Sequence, residues 1–404
     1  MPGCLAVASG RGGGACVTRP SEPQRHLVLL IGEDWFFASH FRARAQAARD
    51  AGWQVSILTR TASPAAAALR DDGFTVIGVD FIRARLNPFA EWRLLGAITN
   101  HYRTLRPDIV HHVALKPILL GSIAAWRARV RLVVNAPVGQ GFVFSSKSLK
   151  ARALRPLVGF LLRAVIGARG AVAVFENEED RAAMMASGAI PVGRAVLIQG
   201  AGVDIDRFAP RPNRCATPNQ RGVTRIVLAA RMLQDKGIRD YIEAAKILQK
   251  QGVKSEFLLA GAPDPGNPAS LSERELQAAA PVRWLGPVAD MAGLLASCDI
   301  GCLPSYREGM PKFLLEAMAC GLACVASDVT GCREAVIDGE TGLLVPARDA
   351  KALATALARL MGDADLRTRL GLAGRARVER LFSERVICAQ TLDMYQRLIE
   401  QEKA

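Results

Sequence analysis

Short apolar runs recur along the first half of the chain, at residues 26–31, 53–59, 74–79, 109–112, 132–135, 171–175 and near 195–198, with helical stretches between most of them. A second series follows, with strands expected at 223–230, 256–260, 283–285, 299–303 and 323–326 and helices at 238–249, 291–296 and 311–320. Strands that alternate with helices predict parallel βαβ units, hence an α/β fold of two doubly wound, Rossmann-like halves. A chain of 404 residues is too long for one ordinary core and suggests two domains. The expected divisions are an extension at 1–24, a first domain at 25–198, a second at 199–384, and a final helical segment at 385–404. The polar, Gly- and Pro-bearing stretch 200–213 suits a linker. Past Pro346 the chain reads as mostly helical, and its helix at 384–401 is long enough to reach back to the first domain.

The stretch 299–328 (DIGCLPSYREGMPKFLLEAMACGLACVASD) carries the chemistry. Pro311 marks a helix start, because a missing N–H costs nothing in the first turn, and Gly321 marks its end. A helix N-terminus opening off a buried strand presents unpaired N–H groups and a partial positive charge, which favour a phosphate. Gly309 allows close approach to the backbone. Glu308 and Glu316, with seven residues between them, bracket that anion site from opposite ends. Carboxylates accept hydrogen bonds from hydroxyls, so a molecule with hydroxyls at both ends and phosphates between them, such as a nucleotide sugar, would fit. The plain alternative is two solvated acidic side chains.

The run PSYREGMPKFLLEAMACG closely resembles the donor-site segment of the retaining family-4 glycosyltransferases, whose hallmark is Glu, seven residues, Glu. AARMLQDKG (229–237) is similar to that family's Arg, four residues, Lys pair at Arg231 and Lys236, and DVTGCREAVIDGETGLLVP (328–346) also follows its pattern. The resemblance implies the GT-B fold, two Rossmann-like domains facing across a cleft with the final helix crossing back. It implies that Glu316 holds the ribose and Glu308 the donor sugar, with Gly309, Met310, Pro311 and Lys312 beside the donor. Arg231 and Lys236 would then stabilise the departing diphosphate, by a fork and a point charge respectively. No cofactor and no metal are expected, since the nucleotide sugar is a substrate and no aspartate cluster suggests Mg²⁺. The family retains anomeric configuration, and front-face attack by the acceptor hydroxyl is the favoured route.

Ligands of such sheets bind beyond the strands' carboxyl ends, which points at Gly32, Glu33, Asp34, His40, His111, His112 and the loop 137–144. HHVALKP (111–117) and NAPVGQGFVFSS (135–146) resemble acceptor-side segments of family members that act on lipid-linked sugars. That resemblance implies acceptor-side roles for His40, His111, His112, Lys116 and Gln140, and Gln140 departs from the usual residue there. For His111, a strand-end histidine satisfied by a hydrogen bond is the alternative.

Charge is unevenly placed. Residues 1–195 hold 25 Lys and Arg against 13 Asp and Glu, and residues 196–404 hold 27 against 25. Residues 147–170 include six basic side chains and no acid, with Leu154, Leu157, Val158, Leu161, Leu162 and Val165 at helical spacing. Arg163 interrupts the run, which excludes a transmembrane helix. This helix either packs on its own domain or lies in a membrane interface. An anionic membrane surface is the expected partner of the basic half, and the expected location is cytoplasmic, peripheral on the inner face of the cytoplasmic membrane. No helix-turn-helix, zinc or aromatic RNA-binding pattern supports nucleic acid. Nine cysteines form no Cys-x-x-Cys pair, which suits a reduced protein without a zinc site. Residues 1–24 lack the apolar core of a signal peptide and are expected to be a disordered extension or a misassigned start.

Across residues 26–400 the chain resembles bacterial enzymes that add a hexose or N-acetylhexosamine to a polyprenyl-diphosphate-linked saccharide for surface polysaccharide assembly. A soluble acceptor, or nucleotide-sugar binding without catalysis, remains open. A nicotinamide-dependent oxidoreductase would need Gly-x-Gly-x-x-Gly after the first strand, and IGEDWFFAS lacks it.

Overall fold

The computed structural model of the protein describes residues 24–82, 87–138, 160, 162–166, 168, 170–211 and 223–403. Two parallel sheets organise it. The first has seven strands in the order β3-β2-β1-β4-β5-β6-β7, from β1 (His26–Ile31), β2 (Gln54–Thr59), β3 (Thr75–Gly78), β4 (Ile109–Val113), β5 (Leu132–Ala136), β6 (Ala171–Phe175) and β7 (Ala195–Leu197). The second has six in the order β10-β9-β8-β11-β12-β13, from β8 (Thr224–Ala229), β9 (Ser255–Ala260), β10 (Val282–Trp284), β11 (Ile300–Leu303), β12 (Ala323–Ser327) and β13 (Gly342–Val345). Central strands covered by helices on both faces read as continuous apolar runs, and all six residues of β1 are buried.

The helices of the first domain are α1 (Asp34–His40), α2 (Arg42–Asp50), α3 (Ala65–Asp71), α4 (Pro88–Leu105), α5 (Leu115–Ala128) and α6 (Glu178–Ala186). Those of the second are α7 (Ile238–Lys250), α8 (Glu273–Gln277), α9 (Met291–Ala296), α10 (Lys312–Ala319), α11 (Cys332–Ala335), α12 (Ala350–Gly362) and α13 (Ala364–Leu381), followed by α14 (Glu384–Lys403). The helical stretch before Gly52 is two helices, because Phe41 (φ −123°) breaks it. Pro311 is not the first helical residue but the extended cap before it (φ −77°, ψ 101°). Gly321 (φ 72°) follows the helix end, where its N–H bonds the Met318 carbonyl at 2.9 Å.

Helix α14 packs on the first domain, placing Ile387, Met394, Tyr395, Leu398 and Ile399 in the same core as Leu27, Leu29 and Ile31. Burying each such side chain contributes roughly 1.5–3 kcal/mol, so this helix ties the end of the chain firmly to its beginning. The stretch after Gly200 is less a free linker than expected: Val203 and Phe208 are buried in the second domain's core, and Val203 N–H bonds the Phe382 carbonyl. Cys302 and Cys324 are buried apolar fillers of the second sheet. No described helix is long and apolar enough to cross a membrane. Gln140 and most of the 147–170 segment lie outside the described residues. Of that segment, Leu162 and Ile166 are buried against Ile118 and Phe175, with Val165 packed beside them.

Candidate active site

The second domain's side of the site is assembled by local chain geometry. The strand β11 delivers the chain to Pro304, and the one-turn helix 234–236 is pressed against it. A Cβ on Gly237 would lie 1.9 Å from the Pro304 carbonyl oxygen, and its φ of 69° is a glycine conformation. The Tyr306 N–H also bonds the Asp235 carbonyl at 2.8 Å. This clamp fixes Lys236 beside Glu308: Lys236 Nζ lies 2.7 and 2.8 Å from the two carboxylate oxygens, and Ser305 Oγ donates to Oε1 at 2.7 Å. Both side chains are largely shielded from solvent. Charge-assisted bonds of this kind hold a carboxylate in one orientation. The loop is supported from behind by Gly331 (φ 80°), where a Cβ would meet the Gly309 and Glu308 carbonyl oxygens.

Helix α10 is fixed by its apolar residues, Phe313, Leu314, Leu315, Ala317 and Met318 all being buried. Its first residue, Lys312, reaches across the cleft to donate to the Ser39 carbonyl of the first domain, and lies 3.7 Å from Glu316 one turn on. Burial pushes the Glu316 carboxyl above its ordinary range, against the pull of Lys312 and Arg207. Met310 is buried against Gly200. Arg231, beyond the end of β8, pairs with Asp264 at 2.9 Å and is half-exposed. Its charge still reaches the opposite wall. The His40 imidazole is pushed down to about 3 by burial first, then by the positive charges of Lys312, Arg44 and Arg231. His40 stacks on Phe36 at 4.2 Å and bonds Ser39 Oγ at 2.6 Å, and at neutral pH it is an uncharged group beside several cations.

The two histidines of β4 are elsewhere. His112 is fully buried, with one ring nitrogen 3.1 Å from Tyr102 Oη and the other 2.9 Å from Asn135 Oδ1. Burial lowers it to about 4. Gly121 leaves room for the ring, since a Cβ there would sit 2.6 Å from it. Both nitrogens of His112 are engaged inside the first domain, so it has nothing to offer a ligand. His111 is also buried, its Nδ1 2.6 Å from Tyr395 Oη on α14, and its Nε2 has no hydrogen-bond partner. Burial and Arg44 hold it well below the usual histidine range. Lys116 is tied to Glu91 at 2.7 Å and to the Ile82 carbonyl at 2.9 Å. Glu33 lies near Arg60 at 3.8 Å, and Asp34 accepts from the Trp35 and Ser63 N–H groups.

A first-domain segment missed by sequence reasoning faces the Glu308 loop most closely. Just past β6, a Cβ on Gly309 would lie 2.8 Å from Glu176 Oε2. Asn177, buried, donates to the Gly309 carbonyl at 3.2 Å. Asp180 pairs with Arg307, Glu179 with Arg333, and Glu334 accepts from the Glu178 N–H and from Gln199. Burial raises the Glu176 carboxyl to about 7, with Asp180 and Glu308 pushing the same way and Arg44 opposing. The signal that could have found this segment was present: FENEED follows an apolar strand at its carboxyl end, where ligands of parallel sheets sit. Among the described residues no group of three His, Cys, Asp or Glu could hold a metal ion.

Two family models match the chain, "Glycosyl transferase 4-like" over residues 26–166 and "Glycosyl transferases group 1" over residues 223–363. One relative is the N,N'-diacetylbacillosaminyl-diphospho-undecaprenol alpha-1,3-N-acetylgalactosaminyltransferase of Campylobacter jejuni, 31% identical over 340 residues, covering 82% of this chain and 88% of that one. Another is the capsular polysaccharide biosynthesis glycosyltransferase CapM of Staphylococcus aureus, 28% identical over 43% of this chain and 46% of its own. Among solved structures, Anabaena HepE in complex with UDP and glucose has a TM-score of 0.74 at 18% identity, covering 92% of this chain and 100% of that one. This likeness concerns the fold: two facing parallel-sheet α/β domains.

Proposed function

Since the chain belongs to the glycosyltransferase family that these models describe, we propose that it moves a hexose or N-acetylhexosamine from a UDP-linked donor to a polyprenyl-diphosphate-linked saccharide, with retention of configuration. The observation that carries this reading is the shielded Lys236–Glu308 pair, set beside the opening of α10 and across from His40 and Glu176. The named substrate of the Campylobacter relative is a sugar on diphospho-undecaprenol, which supports a lipid-linked acceptor here. In this reading residues 25–198 hold the acceptor, residues 199–384 hold the donor, and residues 385–404 cross back.

The donor's diphosphate lies between Arg231, Lys236 and the first N–H groups of α10, where fixed cations and oriented dipoles need no reorganisation as charge develops. Glu308, held by Lys236 and Ser305, accepts hydrogen bonds from the donor sugar, and Glu316 accepts from the ribose. Lys312 adds a further positive charge at the start of the helix. The acceptor hydroxyl attacks the anomeric carbon on the face the diphosphate leaves. The glycosidic C–O bond breaks with its electrons on the phosphate oxygen, and that oxygen takes the hydroxyl proton. No metal takes part, because the side-chain cations offset the leaving group's charge. His40 acts at this cleft as a neutral imidazole, whereas His111, His112 and Lys116 support the first domain from within. The reaction runs at the cytoplasmic face of the membrane that carries the acceptor.

The test is an incubation in EDTA of UDP-sugars with a polyprenyl-diphosphate saccharide in detergent, the new linkage being read by NMR. Transfer with the donor's anomeric configuration is expected. Transfer only to soluble sugars, or UDP binding with the labelled donor intact, would select one of the other readings.

A further inference from the structure

Helices α4 and α5 pack side by side on the first domain, and their outer face carries a feature that the donor cleft does not use. Phe89, Trp92 and Trp126 are 82%, 67% and 80% exposed, three of the four most exposed aromatic side chains among the described residues, the other being Phe160. Single exposed apolar side chains are ordinary, but these stand on two neighbouring helices, Phe89 and Trp92 on α4 and Trp126 on α5. Arg127 lies over the Trp92 ring at 5.3 Å, and Arg103 donates to the Arg127 carbonyl at 3.3 Å. Trp126, Arg103, Arg127 and Arg129 line one hollow at the end of α5. Acid is nearly missing from this face. The sequence of α5 has none, and the only one in α4, Glu91, is engaged by Lys116.

We propose that this α4–α5 face docks on a bilayer of anionic phospholipid. Indole rings settle at the level of lipid headgroups, with the apolar body inward and the N–H wet, while arginines beside them meet the negative surface. A second copy of the chain fits less well, because a two-fold contact would set the same arginines against each other. The proposal deepens the lipid-linked acceptor reading and rests on it for the reason that the enzyme visits a membrane. Of the described residues in 147–170, Leu162 and Ile166 are buried against Ile118 of α5 and Phe160 is exposed.

The test is sedimentation of the full chain with vesicles of phosphatidylcholine containing about one third phosphatidylglycerol, against phosphatidylcholine alone, at low and at physiological salt. The probes are the Trp92→Ser/Trp126→Ser and Arg103→Ser/Arg127→Ser double variants, with melting curves and gel-filtration mass as controls. The wild type is expected to bind anionic vesicles with a blue shift of its tryptophan fluorescence. Each variant should lose at least tenfold in apparent affinity while its melting point and its transfer to acceptor in detergent stay at wild-type level. Wild-type binding by both variants would overturn the proposal, as would a mass change in the tryptophan variant with vesicle binding intact. If transfer in detergent holds and vesicle binding is absent, this proposal fails alone. If vesicles bind and no lipid-linked acceptor is used, the functional reading fails alone.

Discussion

On the second-domain wall, charge is held at the cleft. Lys236 and Glu308 face each other on two loops locked by Gly237 and the Pro304 carbonyl, and Arg231 stands half-exposed beyond them. On the first-domain wall the two histidines of β4 are sealed inside, bonded to Tyr102, Asn135 and Tyr395, with the His111 Nε2 left without a partner. Both pairs stand near the carboxyl ends of parallel strands, yet one faces the cleft and the other is packed inside the first domain. A strand end is therefore a place where a ligand group can stand, and whether it stands there depends on what the next layer offers the side chain. For β11 the next layer is a loop opening on the cleft. For β4 it is helices α4, α5 and α14, which close over the rings.

The largest expected effect separates the walls directly. Glu308→Gln keeps the shape of the side chain but removes the charge that Lys236 and Ser305 orient, and turnover should fall by about 100-fold or more, measured by donor consumption. UDP affinity should change by less than about threefold. Unchanged turnover would remove Glu308 from the donor side.

His112→Ala should do the reverse. It empties a packed site and leaves Tyr102 and Asn135 without their partner, at a cost of about 2–4 kcal/mol in unfolding free energy. The kcat of the protein that remains folded should stay near wild type. A large fall in kcat with an unchanged denaturation midpoint would place His112 on the acceptor after all.

A smaller effect concerns Glu176. Because burial raises its carboxyl to about 7 from an ordinary 4.5, the folded state holds its proton more tightly than the unfolded chain. Its contribution is complete below the unfolded value and is lost as pH rises through the folded one. The melting point of Glu176→Gln should therefore improve relative to wild type between about pH 5 and 8. Parallel pH profiles of the two proteins would show that this carboxyl is ionised throughout.

Much of the second domain was legible because its signals are local. The order of short apolar runs predicted both parallel sheets except for the edge strand β13, and a strand, a glycine loop, a proline and a helix within thirty residues marked the Glu308 loop. The first-domain wall was not legible in the same way. Tyr395 is 284 positions from His111, and no periodicity predicts that the last helix would bury that ring. Glu176 and Asn177 were missed for the opposite reason: they sit in an acidic run that reads as the solvated start of a helix, and only the loop facing it, at Gly309, makes it part of the cleft. Arg231 follows β8, and its partner Asp264 lies on a loop 33 positions away.

The central claim is that side-chain cations on the second-domain wall grip a diphosphate without a metal. Calorimetric titration of UDP in EDTA into the wild type and into the Arg231→Met/Lys236→Met variant tests it most directly. The account predicts binding by the wild type and at least a tenfold loss in the variant, with its melting point within a few degrees of the parent. Equal UDP affinity in the two proteins, or wild-type binding that appears only when Mg²⁺ is restored, would contradict it.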